Sequence, residues 1–311
     1  MFIIPRRGLY QTTICSQCSH VFRSPESDIG LVTIRNANGF KELIDYTTQK
    51  IYPFPKICPV CSNSKLVSLY SGAEDLVEKI EEHLHIQVKK LFDTKFKGET
   101  SRTETYLPEY KTYLDTISVS TRIYDPEIDY QEYHTIIIIQ AENLTASADY
   151  LVLEEVYKQM FTLLTTLLST QLLIIDTAQL DSPIIQSLIQ AQEDVGVSYA
   201  NFLNTESANR KQFGLPPDFS IVLFTSQETK QDLALKKIQT VRTSLVKYID
   251  LGFEMSSPYP AKLLRRKNMY SYHLCLKLNR KNPHFAKLRI ILLDYAKQLN
   301  LQIRLNPKHI L

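Results

Sequence analysis

Glycine is scarce, with eight in 311 residues. None precedes a lysine and no two stand five positions apart, so the phosphate-cradling loop G-x-x-x-x-G-K and the dinucleotide fingerprint G-x-G-x-x-G are both missing from this sequence. Nucleoside-triphosphate chemistry would need phosphate-binding groups from another polypeptide or of an unfamiliar kind. Long apolar runs are missing too. The best stretch, Met160 to Ile175, is broken by Thr162, Thr165, Thr166, Ser169, Thr170 and Gln171, and it falls short of the roughly 20 residues a membrane helix needs. It reads as a buried helix running into a buried strand. The N-terminus has no leader pattern, because Arg6 and Arg7 follow its apolar residues where a signal peptide puts charge first. These absences predict a cytoplasmic protein with no membrane partner.

The composition, 22% charged and 44% apolar, is that of a globular chain with material for a core. At roughly 100–200 residues per domain, two or three domains fit the length. The net charge of +3 hides an asymmetry: residues 258–311 hold twelve Lys or Arg against Asp294 alone, leaving 24 cations against 32 acids on residues 1–257. A small basic module on an acidic body is the electrostatic outline of a nucleic-acid binder. A solvated basic surface, or a patch that docks on an acidic partner, gives the same counts.

Of the five cysteines, four form two C-x-x-C units, Cys15-Ser16-Gln17-Cys18 and Cys58-Pro59-Val60-Cys61. Each unit sets two thiolates on one tight turn, and two such turns supply the four soft ligands of a closed structural zinc site. Disulfides are the alternative, which a reducing cytoplasm disfavours. We expect one structural zinc ion, held by Cys15, Cys18, Cys58 and Cys61, that stabilises residues 10–66 and does no catalysis. Its knuckles would be entered by a hairpin of Tyr10–Ile14 and Lys56–Ile57; His20 is a weaker competing ligand. Cys275 lies in Tyr270–Leu278, where alternation puts Leu274, Leu276 and Leu278 on one face and His273, Cys275 and Lys277 on the other. It reads as a packed thiol.

From Gly72 to about Thr177, helical and strand patterns alternate. Ala73, Leu76, Val77, Ile80 and Leu84 recur at helical spacing opposite an acidic face. Apolar runs at Ile86–Phe92, Ile117–Val119, Thr135–Ile139 and Leu172–Ile175 predict strands of an open, doubly wound α/β layer, with Ile136–Ile139 covered on both faces. The carboxylates here, Asp125, Glu127, Asp129, Glu132, Glu142, Glu154 and Glu155, have no spacing that gathers them round magnesium, and a solvated acidic face accounts for them.

Beyond Leu215-Pro216-Pro217 the pattern is strand, helix, two strands, helix, strand: Phe219–Phe224, Lys230–Tyr248, Phe253–Met255, Met269–Leu278, His284–Leu299 and Leu301–Leu305. This order is that of a ferredoxin-like split β-α-β unit, an α+β arrangement. Cations that track phosphates beside rings that stack on bases suit single-strand binding. Lys262, Arg265, Arg266, Lys267, Arg280 and Lys281 would be the phosphate set, and Tyr270 and Tyr272 the stacking pair. The two tyrosines could equally be cross-strand core residues.

Taken in order, these segments resemble the primosomal protein N-prime family of replication-restart DNA helicases over nearly the whole sequence. Phe2–Tyr10, with Arg6-Arg7-Gly8, resembles the family's "RRGY" strand, and Pro55–Ser62 its last cysteine pair. Gly72-Ala73-Glu74 is similar to "GTE", and Gln212–Phe219 to "LPPF". Pro258–Ala261 with Arg265-Arg266 and Tyr270-Ser271-Tyr272 is similar to the "P-x-P-A…RR…YRY" hairpin, and Asn306-Pro307 stands where the family has "DVDP". The resemblance implies a first strand (1–8), a zinc-ribbon insertion (9–70), a degenerate RecA-like second helicase lobe (71–214) and a basic DNA-binding C-terminal domain (215–311).

The departures shape the expected function. The family has four cysteine pairs and two zinc ions; this sequence has counterparts of the outer pairs only. The family's P-loop lobe has no counterpart here. Its "QVAGRAGR" falls on Gln159–Thr166, with Leu163 and Thr166 where the arginines stand. An arginine at a γ-phosphate is worth about 10³–10⁵ in rate in phosphoryl-transfer systems. The resemblance therefore implies a non-motor DNA-binding protein of replication restart, acting on single-stranded or forked DNA with primosome components and single-strand-binding protein. A subunit of a split helicase and a protein-docking adaptor are the rival readings.

Overall fold

The structure of the protein, a computed structural model, describes residues 1–5, 10–36, 38–92, 117–145, 149–266, 268–299, 301–308 and 310. It divides into two compact units, one of Met1–Ser24, Ile29–Thr145 and Lys158–Leu180, the other of Pro25–Asp28, Ala146–Tyr157 and Asp181–Leu311. In chain order the first elements are β1 (Phe2–Ile3), β2 (Tyr10–Cys15), β3 (Val32–Arg35), β4 (Lys41–Asp45), β5 (Lys50–Pro53), β6 (Leu66–Ser71), α1 (Ala73–Leu84), β7 (Lys89–Leu91), β8 (Ser118–Ser120), β9 (Thr135–Ile138), α2 (Val152–Thr166) and β10 (Leu172–Ile175). Then come α3 (Pro183–Gln190), α4 (Val195–Gln212), β11 (Phe219–Glu228), α5 (Gln231–Val246), β12 (Phe253–Met255), β13 (Tyr259–Arg266), β14 (Met269–Asn279), α6 (Phe285–Gln298) and β15 (Gln302–Leu305). Among the described residues no helix is long and apolar enough to cross a membrane.

The first unit holds two sheets. One is wholly parallel, in the order β10-β9-β1-β8-β7. Register puts Phe2, Val119, Ile137 and Ile174 on one face, and α1 covers its Val119 side through Ala73 and Val77. Coverage differs from the expectation at Ile136–Ile139. Ile136 and Ile138 are fully buried, but Ile137 is half-buried, and on the edge strand β10 Leu172 and Ile174 are exposed. One face is packed there, and the side chains of the other reach solvent.

The second sheet is antiparallel, in the order β5-β4-β3-β2-β6, and carries the cysteines. Its strands are short and only partly patterned, and the β3-β4-β5 meander leaves no clear signal in the sequence. The expected hairpin with Lys56–Ile57 is not formed: β2 pairs with β6, Cys15 opposite Leu66, because the strand that closes the sheet comes after the second knuckle. From β6 the chain passes through Gly72 directly into α1, and Arg35 on β3 donates to both Glu78 carboxylate oxygens at 2.6 and 2.9 Å, joining the sheet to that helix.

In the second unit the sheet order is β12-β14-β11-β15, all pairs antiparallel, with β13 also paired to β14. Two β-α-β units, β11-α5-β12 and β14-α6-β15, thus interleave. Alternation along β14 builds both layers: Leu274, Leu276 and Leu278 pack with Ala234, Ile238, Leu288 and Leu292 of the helices, while Cys275 joins Ile221 and Leu223 on the opposite face. Helix α4 buries Ser198, Phe202, Glu206 and Arg210, four residues apart, and the Phe202 ring stacks on Tyr157 with centroids 3.7 Å apart.

Candidate metal centre and nucleic-acid interface

The two C-x-x-C turns have the same backbone. In the first, the Ser19 N–H donates to Cys15 O at 3.0 Å and the Cys15 N–H to His20 O at 2.9 Å; in the second, Ser62 donates to Cys58 O and Cys58 to Asn63 O, both at 2.9 Å. Each turn closes with a left-handed serine, Ser19 at φ 57° and Ser62 at φ 59°. The sheet brings the knuckles face to face: Cys15 Sγ lies 3.5 Å from Cys61 Sγ, and Cys18 Sγ lies 3.6 Å from Cys58 Sγ. All four sulfurs fall within 4.8 Å of one another, the one group of this kind among the described residues, and could hold a metal ion.

The donor set fits a soft tetrahedral ion. Bonds of about 2.3 Å would place the sulfurs about 3.8 Å apart, close to the observed edges. Charge makes the same demand. N–H groups of Cys18 and Gln17 help pull the Cys15 thiol down to about 6, whereas Cys18, although the His20 N–H lowers it, is pushed up to about 12 with the neighbouring sulfurs raising it. Four thiolates at this separation need a cation among them. His20 does not join the cluster; its ring meets Phe22 edge-on at 5.3 Å. Cys275 is a buried thiol raised by desolvation.

The cationic residues divide into two places. Strands β13 and β14 form a hairpin in which Arg265 lies opposite Tyr270 and Arg266 opposite Met269, with Asn268 in the turn at φ 63°. Lys262 and Arg266 are exposed. Arg265 is half-buried and engaged, donating to Asn268 Oδ1 at 2.8 Å and to Pro25 O at 3.5 Å. Lys267 lies outside the described residues, as does the Arg6–Leu9 part of the first strand. Arg280 and Lys281 are exposed at the other end of β14, where Arg280 Nε donates to Ser220 Oγ at 3.1 Å. The eleven residues of β14, at about 3.4 Å each, put that end roughly 35 Å from the hairpin turn.

Tyr272 requires a correction. It is 7% exposed and belongs to the core beneath α5 and α6, and its hydroxyl accepts a hydrogen bond from Gln231 Nε2 at 2.9 Å. The alternation that buries Leu274, Leu276 and Leu278 carries Tyr272 inward with them, so it offers no platform to a base. Tyr270, on the same face but nearer the turn, is half-buried and packs against the rim of that core. Sequence reasoning passed over Asn63, whose one signal is its place directly after the second knuckle.

No protein-family model matches the chain. An alignment over 312 residues, 96% of this chain, gives 24% identity to the replication restart protein PriA of Synechocystis sp.. This is a PriA-like chain. It spans 35% of the length of that relative, and the cysteine quartet and the cationic hairpin both lie within the matched stretch.

Proposed function

We propose that this PriA-like chain is a DNA-binding factor of replication restart that has no motor of its own. The exposed cations Lys262 and Arg266 on the β13–β14 hairpin carry the reading, since they project from a module with a surplus of eleven positive charges. They would contact phosphates of single-stranded or forked DNA, with Tyr270 the remaining stacking residue. The interleaved β-α-β units fit a ferredoxin-like domain over 215–311, and the parallel sheet, with β1 at its centre, fits a degenerate RecA-like lobe made of 1–8 and 71–214. Zinc is the ion proposed for Cys15, Cys18, Cys58 and Cys61, in a ribbon-like sheet of residues 9–70, where four thiolates leave no open position for chemistry. Leu163, standing where the family has an arginine, is fully buried, which supports a chain that does not hydrolyse ATP. Primosome components and single-strand-binding protein would be its protein partners, in the cytoplasm.

Fluorescence anisotropy on single-stranded, duplex and forked oligonucleotides across a salt series tests the reading. Each lost phosphate contact removes about 0.7–0.9 from the slope of log K against log salt. Lys262→Ala with Arg266→Ala should flatten the slope by about 1.5. Binding indifferent to that pair would shift the module to protein docking. An ATPase stimulated by DNA and lost on mutating this chain would instead favour a split helicase.

A further inference from the structure

The two knuckles share a backbone but differ in the residue that comes directly after each turn. At the position five residues after the first cysteine, one has His20 and the other Asn63. Only Asn63 reaches the opposite knuckle with its side chain. Its Nδ2 donates to Cys15 Sγ at 3.9 Å and to Ser16 Oγ at 3.2 Å, while its Oδ1 accepts from the Lys65 N–H at 3.1 Å. Ser16 in turn donates to Lys65 O from its hydroxyl at 2.8 Å and its N–H at 3.1 Å. The His20 ring, by contrast, is turned onto Phe22.

We propose that Asn63 is the positioning residue of the metal centre, reaching from the second knuckle to donate to Cys15 Sγ and Ser16 Oγ of the first and so slowing loss of the ion. The physical reason is twofold. An N–H donor directed at a thiolate withdraws charge from the sulfur, which makes it less open to protonation and to competing electrophiles while it stays a ligand. The same amide ties the knuckles together through Ser16 and Lys65, so that neither can swing away from the other when one bond to the ion breaks. Among the described residues no side chain is seen to do the same for the Cys18–Cys58 edge, and Cys18 is the exposed cysteine. Release should therefore begin at Cys18 and be resisted at Cys15.

This inference rests on the metal reading of the quartet, and the experiment separates the two. The 311-residue chain is loaded with zinc, its occupancy measured by elemental analysis, and release to a chromogenic chelator monitored in time. Asn63→Ala removes both side-chain roles. Asn63→Asp keeps the acceptor for the Lys65 N–H but replaces the donor with a charged carboxylate oxygen beside Cys15, so it serves if the alanine variant folds poorly. Both should release zinc about 10-fold faster or more, whereas His20→Ala at the matched position should stay within about 2-fold. Cobalt substitution supplies a second readout: the thiolate-to-cobalt absorption should persist in Asn63→Asp, with four sulfurs still bound, but decay faster under chelator. Full occupancy with unchanged release from both Asn63 variants, or equal acceleration by His20→Ala, overturns the proposal while leaving the metal site standing. A protein that takes up neither zinc nor cobalt overturns both.

Discussion

The guanidinium carbon of Arg265 lies 5.5 Å from the centroid of the Tyr270 ring, the residue opposite it across the hairpin. Two residues further along β14, Tyr272 is enclosed by the core. The pair separates binding from folding. Tyr270→Ala should weaken single-strand binding by about 1–3 kcal/mol if a base stacks there, and should also cost some stability, since the ring packs against the same core. Tyr272→Phe should leave DNA binding unchanged and cost about 1 kcal/mol, the bond from Gln231. Anisotropy and urea titration of both variants check this; a binding defect confined to Tyr272→Phe would reverse the assignment.

His273 gives the protein a defined acid sensitivity. It is 4% exposed, its Nδ1 is 2.9 Å from Thr225 Oγ1, and the Tyr259 ring packs against it at 5.7 Å. Burial, reinforced by the Arg304 charge, pulls the imidazole down to about 4. Above a pH of about 6.5 neither folded nor unfolded chain protonates this residue. Between that pH and the folded value the unfolded chain takes up a proton that the folded one refuses, so stability falls as pH falls, by up to about 1.4 kcal/mol per pH unit. His273→Asn should flatten the fall in urea midpoint between pH 6.5 and 4, after the carboxylate contribution common to both proteins; parallel profiles would refute it.

The cysteine quartet was legible because metal chemistry dictates the spacing of its ligands, and two C-x-x-C turns have few other uses. Most of the element order after Phe219 was legible because long amphipathic helices and alternating strands declare their period, although the strand β13, paired to β14, was not read as one. Three other features were not. The β3-β4-β5 meander has strands of four or five residues, too short for a period to register. Arg280 and Lys281 come soon after the hairpin in sequence, but a continuous strand carries them to its far end. Tyr272 was misplaced although its alternation with Leu274 was visible, because an aromatic ring beside cations suits stacking and packing equally, and only the helix above it decides.

Gly252 stands at φ 82°, and a Cβ there would lie 2.7 Å from Asn282 Nδ2. That amide donates to Leu251 O at 2.7 Å and to Gly252 O at 2.8 Å, holding the turn that leads into β12. Gly252→Ala would meet backbone strain of about 1–2 kcal/mol and would also displace the amide. A loss of about 2–3 kcal/mol in urea unfolding is expected. Asn282→Ala should recover part of it when combined with Gly252→Ala, since the clash is then gone; strict additivity of the two losses would argue against the contact.

Arg210 makes two ion pairs within the second unit. Its Nε is 2.7 Å from Glu206 Oε1 and its Nη2 2.7 Å from Glu154 Oε2; Nη2 also donates to Tyr150 O at 3.3 Å. The Arg210 and Glu206 side chains are each 10% exposed, while that of Glu154 is 48% exposed, so the two ion pairs differ in worth. Arg210→Ala leaves the Glu206 carboxylate buried without its partner and should cost about 3–5 kcal/mol. Glu154→Ala removes a solvated pair and should cost less than about 1 kcal/mol. Replacing both buried charges, Arg210→Leu with Glu206→Leu, should be less damaging than Arg210→Ala alone, because the largest part of that loss is a stranded charge and not a missing attraction. Urea unfolding of the four proteins decides it: a double variant as unstable as the single one would mean that the pair, with its bond to Tyr150, is a net source of stability here.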